Sequence, residues 1–455
     1  MLRPALLAAA LAAAFPVHAD AELDALRAEL RELKIAYETR IQALEERLKA
    51  TEVEAGAAQI RTAEPREQAA ARPADPTRSN AFNPAISLIL QGQYAHLDNR
   101  GERGITGFFP AGGHAHGGTE RGFSIGGSEL VISASIDPTF RGHLIAVLAD
   151  DEVEIEEAWF QTTRLGQGLA IKGGRFRSGL GYQNERHPHA WDFTTNNLVY
   201  EALFGEGYGN DGLQLKWVAP TELFMELGAE AGRGASFPGT DRNTNGAGSY
   251  ALFGHLGGDV GASNSWRAGL SYLAAKASER EGELEDLNDE HAETLFSGKS
   301  KIWGADFVWK WAPNGNASEQ NFKFAAEYFR RSERGSLCGH DEANEGCLTD
   351  TEDAYRSRQS GFYTQGVYQF MPRWRTGYRY DRLNPGSVDF GSNPLELATT
   401  DYTPTRHSLM LDYSPSEFSR LRLQVSQDKS MESVRENQWF VQYIHSLGAH
   451  GAHTF

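Results

Sequence analysis

The chain lacks any run of eighteen apolar residues, although hydrophobic residues make up 40% of its 455 positions. This absence excludes a protein that crosses a membrane with helices, because such a helix needs about 20 consecutive apolar residues. Basic residues are also scarce, with 44 Lys and Arg against 61 Asp and Glu, for a net charge of −17. The acidic balance argues against a nucleic-acid partner, which needs a basic surface to neutralise phosphates.

Recognisable catalytic motifs are absent as well. The sequence has no nucleophile motif, no Gly-rich phosphate loop and no His-Glu-x-x-His pattern. Acidic and basic residues occur close together, but their spacing does not assign one as a proton donor and another as an acceptor. We therefore expect no enzymatic activity and no cofactor, with a barrel enzyme kept as an alternative.

Cysteine is nearly absent, since only Cys338 and Cys347 occur. The N-terminus predicts export: Arg3 precedes an apolar run, and residues 17–19 resemble a small-residue cleavage site, so residues 1–19 are predicted to be a signal peptide rather than a buried helix. Exported proteins meet an oxidising environment, which favours a Cys338–Cys347 disulfide that closes a loop. A metal site formed by both cysteines and His340 is the alternative.

Residues 20–55 follow a different pattern from the rest of the chain. Apolar residues recur at alternating steps of three and four, as in a heptad seam: Leu23, Leu26, Leu30, Leu33 and Tyr37. The pattern predicts a short periplasmic coiled coil, with a homotrimer as the expected assembly and peptidoglycan as a candidate contact. A single solvated helix is the alternative. Residues 56–82 are rich in Ala, Pro, Arg and Glu without periodicity and are predicted to be a linker.

From residue 83 onward, short segments alternate apolar and polar residues. In residues 420–426, Leu421, Leu423 and Val425 fall on one face, and Arg420, Arg422 and Gln424 fall on the other. A soluble sheet with one wet face shows this pattern. A transmembrane barrel shows it too, with apolar side chains toward lipid and charged ones toward a watery lumen.

The connections between these segments favour the barrel. Tight turns, such as residues 137–139 and 414–416, alternate along the chain with mostly long polar loops. The predicted loops are 99–121, 178–209, 233–247, 276–299, 331–358 and 384–403. Short periplasmic turns and long external loops are typical of outer-membrane barrels. We therefore predict an all-β fold over residues 83–455, an antiparallel transmembrane barrel of about sixteen strands in the outer membrane of a Gram-negative bacterium, in contact with its lipid.

The loop 178–209 is the candidate constriction of the barrel lumen. Its aromatic residues are expected to pack against the inner wall, and its acidic residues, Glu185, Asp192 and Glu201, to face the lumen. Basic residues are available on the wall: Arg175, Arg177, Arg373, Arg375, Arg379, Arg420 and Arg422. Facing rows of acid and base would create a transverse field that selects by charge and dipole. The alternative is a loop that folds over the outside of the barrel.

Two histidine pairs form the second candidate site. His114 and His116 lie in the first loop, and His187 and His189 lie in the candidate constriction. Paired imidazoles bind zinc or copper when carboxylates complete the shell. Solvated loop histidines are the alternative, since no Cys or carboxylate stands at a fixed spacing beside them. The acidic stretch 276–299 is a candidate for concentrating cations, or a solvated charge run.

Three runs carry a resemblance to a known group: GFSIGGSELVISASIDPTFRGHLIAVL, EEAWFQT and GLAIKGGRFRSGLGYQNERHPHAWDF. They resemble exported proteobacterial barrels described as porins, siderophore porins or zinc-regulated outer-membrane receptors, a group in which a leading coiled coil recurs. The resemblance implies transport across the outer membrane, with zinc or a metal complex as a candidate substrate. A receptor energised from the inner membrane would need a globular plug of more than a hundred residues, whereas only a helix and a linker are expected here.

These observations predict a passive channel for small hydrophilic solutes or metal ions, with some preference for cations or metal complexes. The alternative from another class is a plug-less surface receptor or adhesin whose closed barrel displays its loops.

Overall fold

The structure, a computed structural model, describes residues 84–98, 104–109, 121–125, 127–149, 152–285, 287, 291–341 and 344–448. The predicted signal peptide, coiled coil and linker lie outside these residues, as do His114 and His116. Within the described part of the chain, no helix is long and apolar enough to cross a membrane.

The strands form one antiparallel sheet. Their bounds in chain order are β1 Ala85–Leu97, β2 Gly122–Ser124, β3 Ser128–Ser135, β4 Phe140–Ala149, β5 Glu152–Thr162, β6 Leu169–Arg177, β7 Gly209–Val218, β8 Phe224–Gly232, β9 Ser249–Val260, β10 Asn264–Glu285, β11 His291–Trp311, β12 Asn321–Asp341, β13 Asn344–Cys347, β14 Asp353–Met371, β15 Trp374–Asp389, β16 Thr405–Ser416, β17 Ser419–Lys429 and β18 Glu436–Gly448. Among the described residues, the α-helix α1 spans Leu198–Phe204, and single 3-10 turns span Pro188–Ala190, Pro313–Gly315 and Thr349–Thr351.

The sheet closes into a barrel because its first and last strands pair. β1 runs beside β18 from Ser87, opposite Gly448, to Leu97, opposite Gln438. β2 and β3 both pair with β1 and together form one interrupted strand. β13 pairs with the end of β12, which pairs along most of its length with β14. Over the described residues the wall therefore contains sixteen strands, and the predicted strand number is confirmed.

The alternation in the sequence becomes the two faces of this wall. Leu421, Leu423 and Val425 are 40%, 47% and 54% exposed on the outside, whereas Arg422 is fully buried on the inside. Large aromatic side chains are exposed around the barrel: Tyr250, Trp303, Tyr378, Trp439 and Tyr443. A closed antiparallel barrel with an even strand number and an apolar, aromatic exterior is the architecture of bacterial outer-membrane proteins. The protein is an outer-membrane β-barrel.

Several strands extend far beyond the membrane. β10, β11 and β12 contain 22, 21 and 21 residues, whereas about 9–11 residues cross a bilayer. The predicted loops 276–299 and 331–358 are mostly paired strand, so this part of the prediction was wrong. Outside the membrane the main-chain ladder continues without an apolar outward face, and charged residues such as Glu281 and Glu283 take the outward positions.

The extended outer ends of these strands have a small core of their own. Buried apolar residues from neighbouring strands and loops pack there: Phe109, Ala277, Phe296, Leu337, Tyr355 and Leu397. Arg280 pairs with Glu333 at 2.7 Å, both fully or nearly buried. A disulfide joins Cys338 of β12 to Cys347 of β13. The outer hairpins are therefore held by packing, by charge and by a covalent bond.

Candidate functional site

The connection between β6 and β7, residues 178–208, folds into the lumen of the barrel. Most of its side chains are buried, including the five aromatic residues that the sequence identifies in it: Tyr182, Trp191, Phe193, Tyr200 and Phe204. The ends of the loop meet because the Asn184 amide donates to the Ser178 and Tyr208 carbonyls at 2.7 and 2.8 Å. The chain therefore leaves the wall after β6, crosses the lumen and returns to the same place.

Helix α1 fixes the second half of this loop against an apolar patch of the inner wall. The Asn197 side chain caps the helix by accepting a hydrogen bond from the Tyr200 amide. Gly205 ends the helix with a positive φ of 76°. The apolar residues of the helix join wall residues in one buried cluster, which includes Leu198, Val199, Leu203, Phe204, Leu273, Ile302, Phe329, Tyr363 and Leu383. Burial of this cluster drives the loop into the barrel.

One wall carboxylate organises the first half of the loop. Glu327 of β12 accepts hydrogen bonds from the Tyr182 and Gln183 amides at 2.7 and 2.9 Å. It also accepts hydrogen bonds from the hydroxyls of Tyr200 and Tyr363 at 3.1 and 2.7 Å. Its side chain is 2% exposed. A buried carboxylate needs such donors to offset the loss of hydration.

Arginines of the wall mostly bind main-chain carbonyl groups of the loop. Arg379 donates to the Thr195 and Asn196 carbonyls at 2.8 and 2.6 Å. Arg422 donates to the Trp191 carbonyl at 2.8 Å and to Asp412 at 2.8 Å. The guanidinium groups therefore act as hydrogen-bond donors that hold a turn-rich segment, in addition to carrying charge.

Two of the predicted loop acids form direct ion pairs with the wall. Asp192 lies 2.7 Å from the Lys323 ammonium and accepts a hydrogen bond from Gln365 at 2.8 Å, with Arg375 3.6 Å away. Burial opposes ionisation of Asp192, but Lys323 and Arg375 outweigh it and lower the pKa of this carboxyl group. Glu201 pairs with Arg406 at 2.8 Å. These acids touch the bases instead of facing them across an open space.

The remaining predicted site residues occupy different places. Arg420 and Arg375 lie on the inner wall, and Glu185 is an exposed residue of the loop. Arg177, at the end of β6, donates to Glu156.

Two arginines predicted for the lumen wall lie elsewhere. Arg175 shares the outward face of β6 with Leu169 and Ile171 and pairs with Asp211 at 2.7 Å. Arg373 is exposed in the turn between β14 and β15, with a positive φ of 72°. The prediction failed for Arg175 because the face of β6 was assigned wrongly. It failed for Arg373 because β15 begins at Trp374, one residue after it.

A cavity of about 450 Å³ lies between the loop and the wall. Its charged and imidazole-bearing lining residues come from both sides: Glu185, Arg186, His187, His189, Asp192, Lys323, Arg375 and Arg420. His187 and His189 are each 9% exposed. Charges of both signs thus surround one space inside the barrel.

Several residues of this site were missed from the sequence. The missed residues are wall partners of the loop: Glu129, Glu156, Glu157, Lys323, Glu327 and Arg406. For β12 a signal existed, because Lys323 and Glu327 alternate with outward residues such as Tyr328, which is 46% exposed. Strand periodicity marks them as inward but does not say which loop residues they bind.

Comparison with known proteins gives one relative in sequence. No family model matches the chain. An uncharacterized protein of Aquifex aeolicus is 31% identical over 404 residues, which cover 84% of this chain and 81% of that protein. The chain belongs to the same family. The match spans most of both chains, and it transfers no activity because that protein is described only as uncharacterized.

Solved structures give more distant likenesses. A loop-deletion mutant of OmpT from Vibrio cholerae is 11% identical, with a TM-score of 0.49, over 81% of this chain and 100% of that one. The anion-selective porin from Comamonas acidovorans is 8% identical, with a TM-score of 0.48, over 80% and 99%. The channel DcaP of Acinetobacter baumannii is 12% identical, with a TM-score of 0.45, over 80% and 97%. At these values the likenesses carry no information on residue roles or activity.

Proposed function

We propose that this family member is a channel through which small hydrophilic solutes diffuse passively across the outer membrane, with residues 178–208 as its constriction. The observation that carries the proposal is the charged cavity inside a closed sixteen-stranded barrel. Acidic and basic groups around a narrow aqueous space act on the charge and dipole of a passing solute. The sequence offers no nucleophile motif, so the proposal includes no catalytic step.

The charges that line the cavity indicate which solutes would pass through it. Its basic residues, Arg186, Lys323, Arg375 and Arg420, outnumber Glu185 and Asp192. A free metal cation gains little from such a surface, because like charges repel it. We therefore propose small polar or anionic solutes as the cargo rather than zinc or its complexes.

A second candidate function is a closed barrel that serves as a surface receptor or adhesin. The observation that favours it is the reach of the loop across the lumen. Its residues contact β3 and β5 on one side, through His189 and His187, and β12 on the other, through Asp192 and Lys323. A loop held on opposite walls narrows the lumen more than a loop held on one.

Single-channel recording separates the two candidates. The full chain, refolded in detergent and inserted into a planar bilayer, is measured in KCl with a metal chelator present. Stepwise, ohmic current increments support the channel. Insertion that produces no current, by protein whose folded barrel is verified on unheated gels, contradicts the channel and favours the receptor or adhesin.

The assembly is a further part of the proposal. We infer an oligomer held by the apolar seam of the heptad segment 20–55, and we propose a homotrimer because trimers are common among pores. The exposed apolar residues of the strands would contact lipid, and a periplasmic coiled coil would reach toward peptidoglycan. Cross-linking of the full chain in membranes tests the trimer.

A further inference from the structure

Three glutamates of the barrel wall converge on the two histidines of the loop. Glu129 comes from β3, and Glu156 and Glu157 are consecutive residues of β5. Consecutive residues of a regular strand point to opposite faces. Here the pairing of β4 with β5 shifts, with Ile145 opposite Glu157 and Ala146 opposite Ile155, so that Glu156 is a bulged residue. The bulge lets both glutamates reach the loop.

The contacts around His187 are short on both sides of its ring. Nδ1 lies 2.8 Å from Glu156 Oε2, and Nε2 lies 2.8 Å from Glu157 Oε1. Nδ1 also lies 3.8 Å from Glu129 Oε2. The other oxygen of Glu129 is 2.8 Å from His189 Nδ1. Five side chains thus form one connected cluster, in which Glu129 and Glu157 are buried and Glu156 is half-buried.

Hydrogen-bond donors are too few for these carboxylates. An ionised carboxylate accepts hydrogen bonds but cannot donate them. Besides the histidines, Arg177 donates to Glu156, and Trp159 donates to Glu157 at 2.7 Å. Glu129 is 1% exposed, and its Oε2 atom has no hydrogen-bond partner. A buried, unpaired carboxylate oxygen is costly unless a cation compensates it.

The three atoms nearest to each other have the spacing of metal ligands. Glu129, Glu156 and His187 each offer one ligand atom, and these three atoms lie within 4.8 Å of one another. Tetrahedral zinc, with bonds of about 2.0–2.1 Å, needs ligand atoms about 3.4 Å apart. The observed 2.8 and 3.8 Å lie on either side of that value.

The surrounding groups complete a typical arrangement. In the tautomer whose Nε2 carries the proton, His187 donates to Glu157, and the Nδ1 lone pair is then available to a metal. His189 contacts the second oxygen of Glu129 and orients it. Metal-binding histidines and carboxylates commonly have such supporting partners.

We propose that His187, Glu129 and Glu156 bind one divalent cation of the zinc class, supported by Glu157 and His189. An imidazole with two carboxylates suits Zn²⁺, Co²⁺, Mn²⁺ or Fe²⁺, whereas Mg²⁺ and Ca²⁺ prefer oxygen ligands alone. One ligand comes from the loop and two come from the wall. The bound ion is a clamp that fixes the loop to β3 and β5, and it is not the cargo. This inference does not depend on the channel being open.

Metal binding to the refolded full chain in detergent tests the proposal without any current measurement. Titration with Co²⁺, followed by its visible absorption, and with Zn²⁺ by calorimetry is expected to give one site per chain. H187A and E129Q are each expected to weaken binding more than about tenfold, and E157Q to weaken it about tenfold while keeping one site. X-ray absorption at the zinc edge is expected to show nitrogen and oxygen ligands near 2.0–2.1 Å.

The control variant is H255A, because His255 is a buried lumen histidine beside Glu226 and Asp306. It is expected to bind with unchanged affinity. Each variant is used only after its folded form is verified on unheated gels, and E129Q keeps the shape of the side chain if H187A fails to fold. The absence of saturable binding would overturn the proposal. So would full binding by H187A or E129Q, which would assign the metal to other histidines of the chain.

Discussion

Glu327 accepts four hydrogen bonds from the loop and from Tyr363 through one buried carboxylate. E327Q keeps the shape but presents an amide NH₂ group to donors. Hydrogen bonds to a charged group contribute about 1.5–3 kcal/mol each. We expect E327Q to destabilise the folded barrel by about 2 kcal/mol, since part of the network can rearrange.

The effect is measured on gels as the temperature at which the band of the folded barrel converts to that of the unfolded chain. E319Q is the matched control, because Glu319 is exposed in the turn before β12. Equal melting of E327Q and the wild type would show that the carboxylate does not anchor the loop.

Asp192 is the acid that most directly balances the basic side of the cavity. D192N removes one negative charge beside Lys323 and Arg375. A unit charge a few ångströms from an ion changes its energy by about 1 kcal/mol in water, less in salt. We expect the anion-to-cation permeability ratio to rise about twofold to fivefold, measured from reversal potentials in a low-salt KCl gradient.

Because the lowered pKa keeps Asp192 ionised at neutral pH, the wild type carries this charge under the same conditions. D241N is the control, since Asp241 pairs with Arg233 on the exposed outer surface. An unchanged reversal potential in D192N would remove this residue from the constriction.

At the residue scale, the sequence predicts which face of a strand a side chain occupies better than it predicts the hydrogen-bond partners of that side chain. The inward positions of Arg375, Arg379, Arg420 and Arg422 follow from the alternation with outward apolar residues. Their partners do not, because the carbonyl groups of Trp191, Thr195 and Asn196 have no signature in the sequence. The bulge at Glu156 also breaks the period of two, so periodicity alone cannot place both glutamates on one side.

At the scale of elements, the constriction loop and the outer hairpins contrast in predictability. Loop 178–208 is rich in aromatic residues, which predict packing, and the structure buries them inside the barrel. The hairpins of β10 to β14 are charged outside the membrane, so their composition resembles a loop although they are paired strands. Backbone hydrogen bonds form them, and a side-chain pattern does not report those bonds.

The disulfide between Cys338 and Cys347 closes a short outer hairpin, with a sequence separation of 9. Closing a loop of this size stabilises the folded state by about 2–3 kcal/mol, because it lowers the conformational entropy of the unfolded chain. The hairpin lies at the outer end of β12, so we expect the double variant C338S/C347S to become sensitive to protease near residues 341–352. Mass spectrometry of the fragments locates the cuts.

The barrel of C338S/C347S is expected to melt close to the wild-type temperature, because Cys338 lies at the outer end of β12 and most of the sixteen-stranded ladder does not depend on this bond. A large fall in the melting temperature of the whole barrel would instead give the disulfide a role in the wall. The singly substituted C347S is a less suitable test, since its remaining thiol forms intermolecular bonds.

At the scale of the whole molecule, the heptads of residues 20–55 and the barrel make separate contributions. Coiled coils hold oligomers through a seam of apolar residues, and short ones are marginal alone. A chain that begins at residue 80 is therefore expected to form the same barrel but to lose the trimer on unheated gels and in light scattering.

Substitution of Leu26 and Leu30 by Lys in the full chain is the companion test, because it disrupts the seam without removing it. A trimer that survives both changes would assign the assembly to the barrel exterior. Loss of the barrel itself would show that the N-terminal segment assists folding.

The proposed channel requires that solutes pass through the barrel and that residues 178–208 narrow its lumen. Arg177 and Gly209 are directly paired, so a two-residue Asn-Gly turn can replace the loop between them. Single-channel conductance of this variant and of the wild type in the same KCl solution is the most direct test. We predict steps from both proteins and a clearly larger conductance without the loop. Equal conductance, or no steps from either folded protein, would contradict the account.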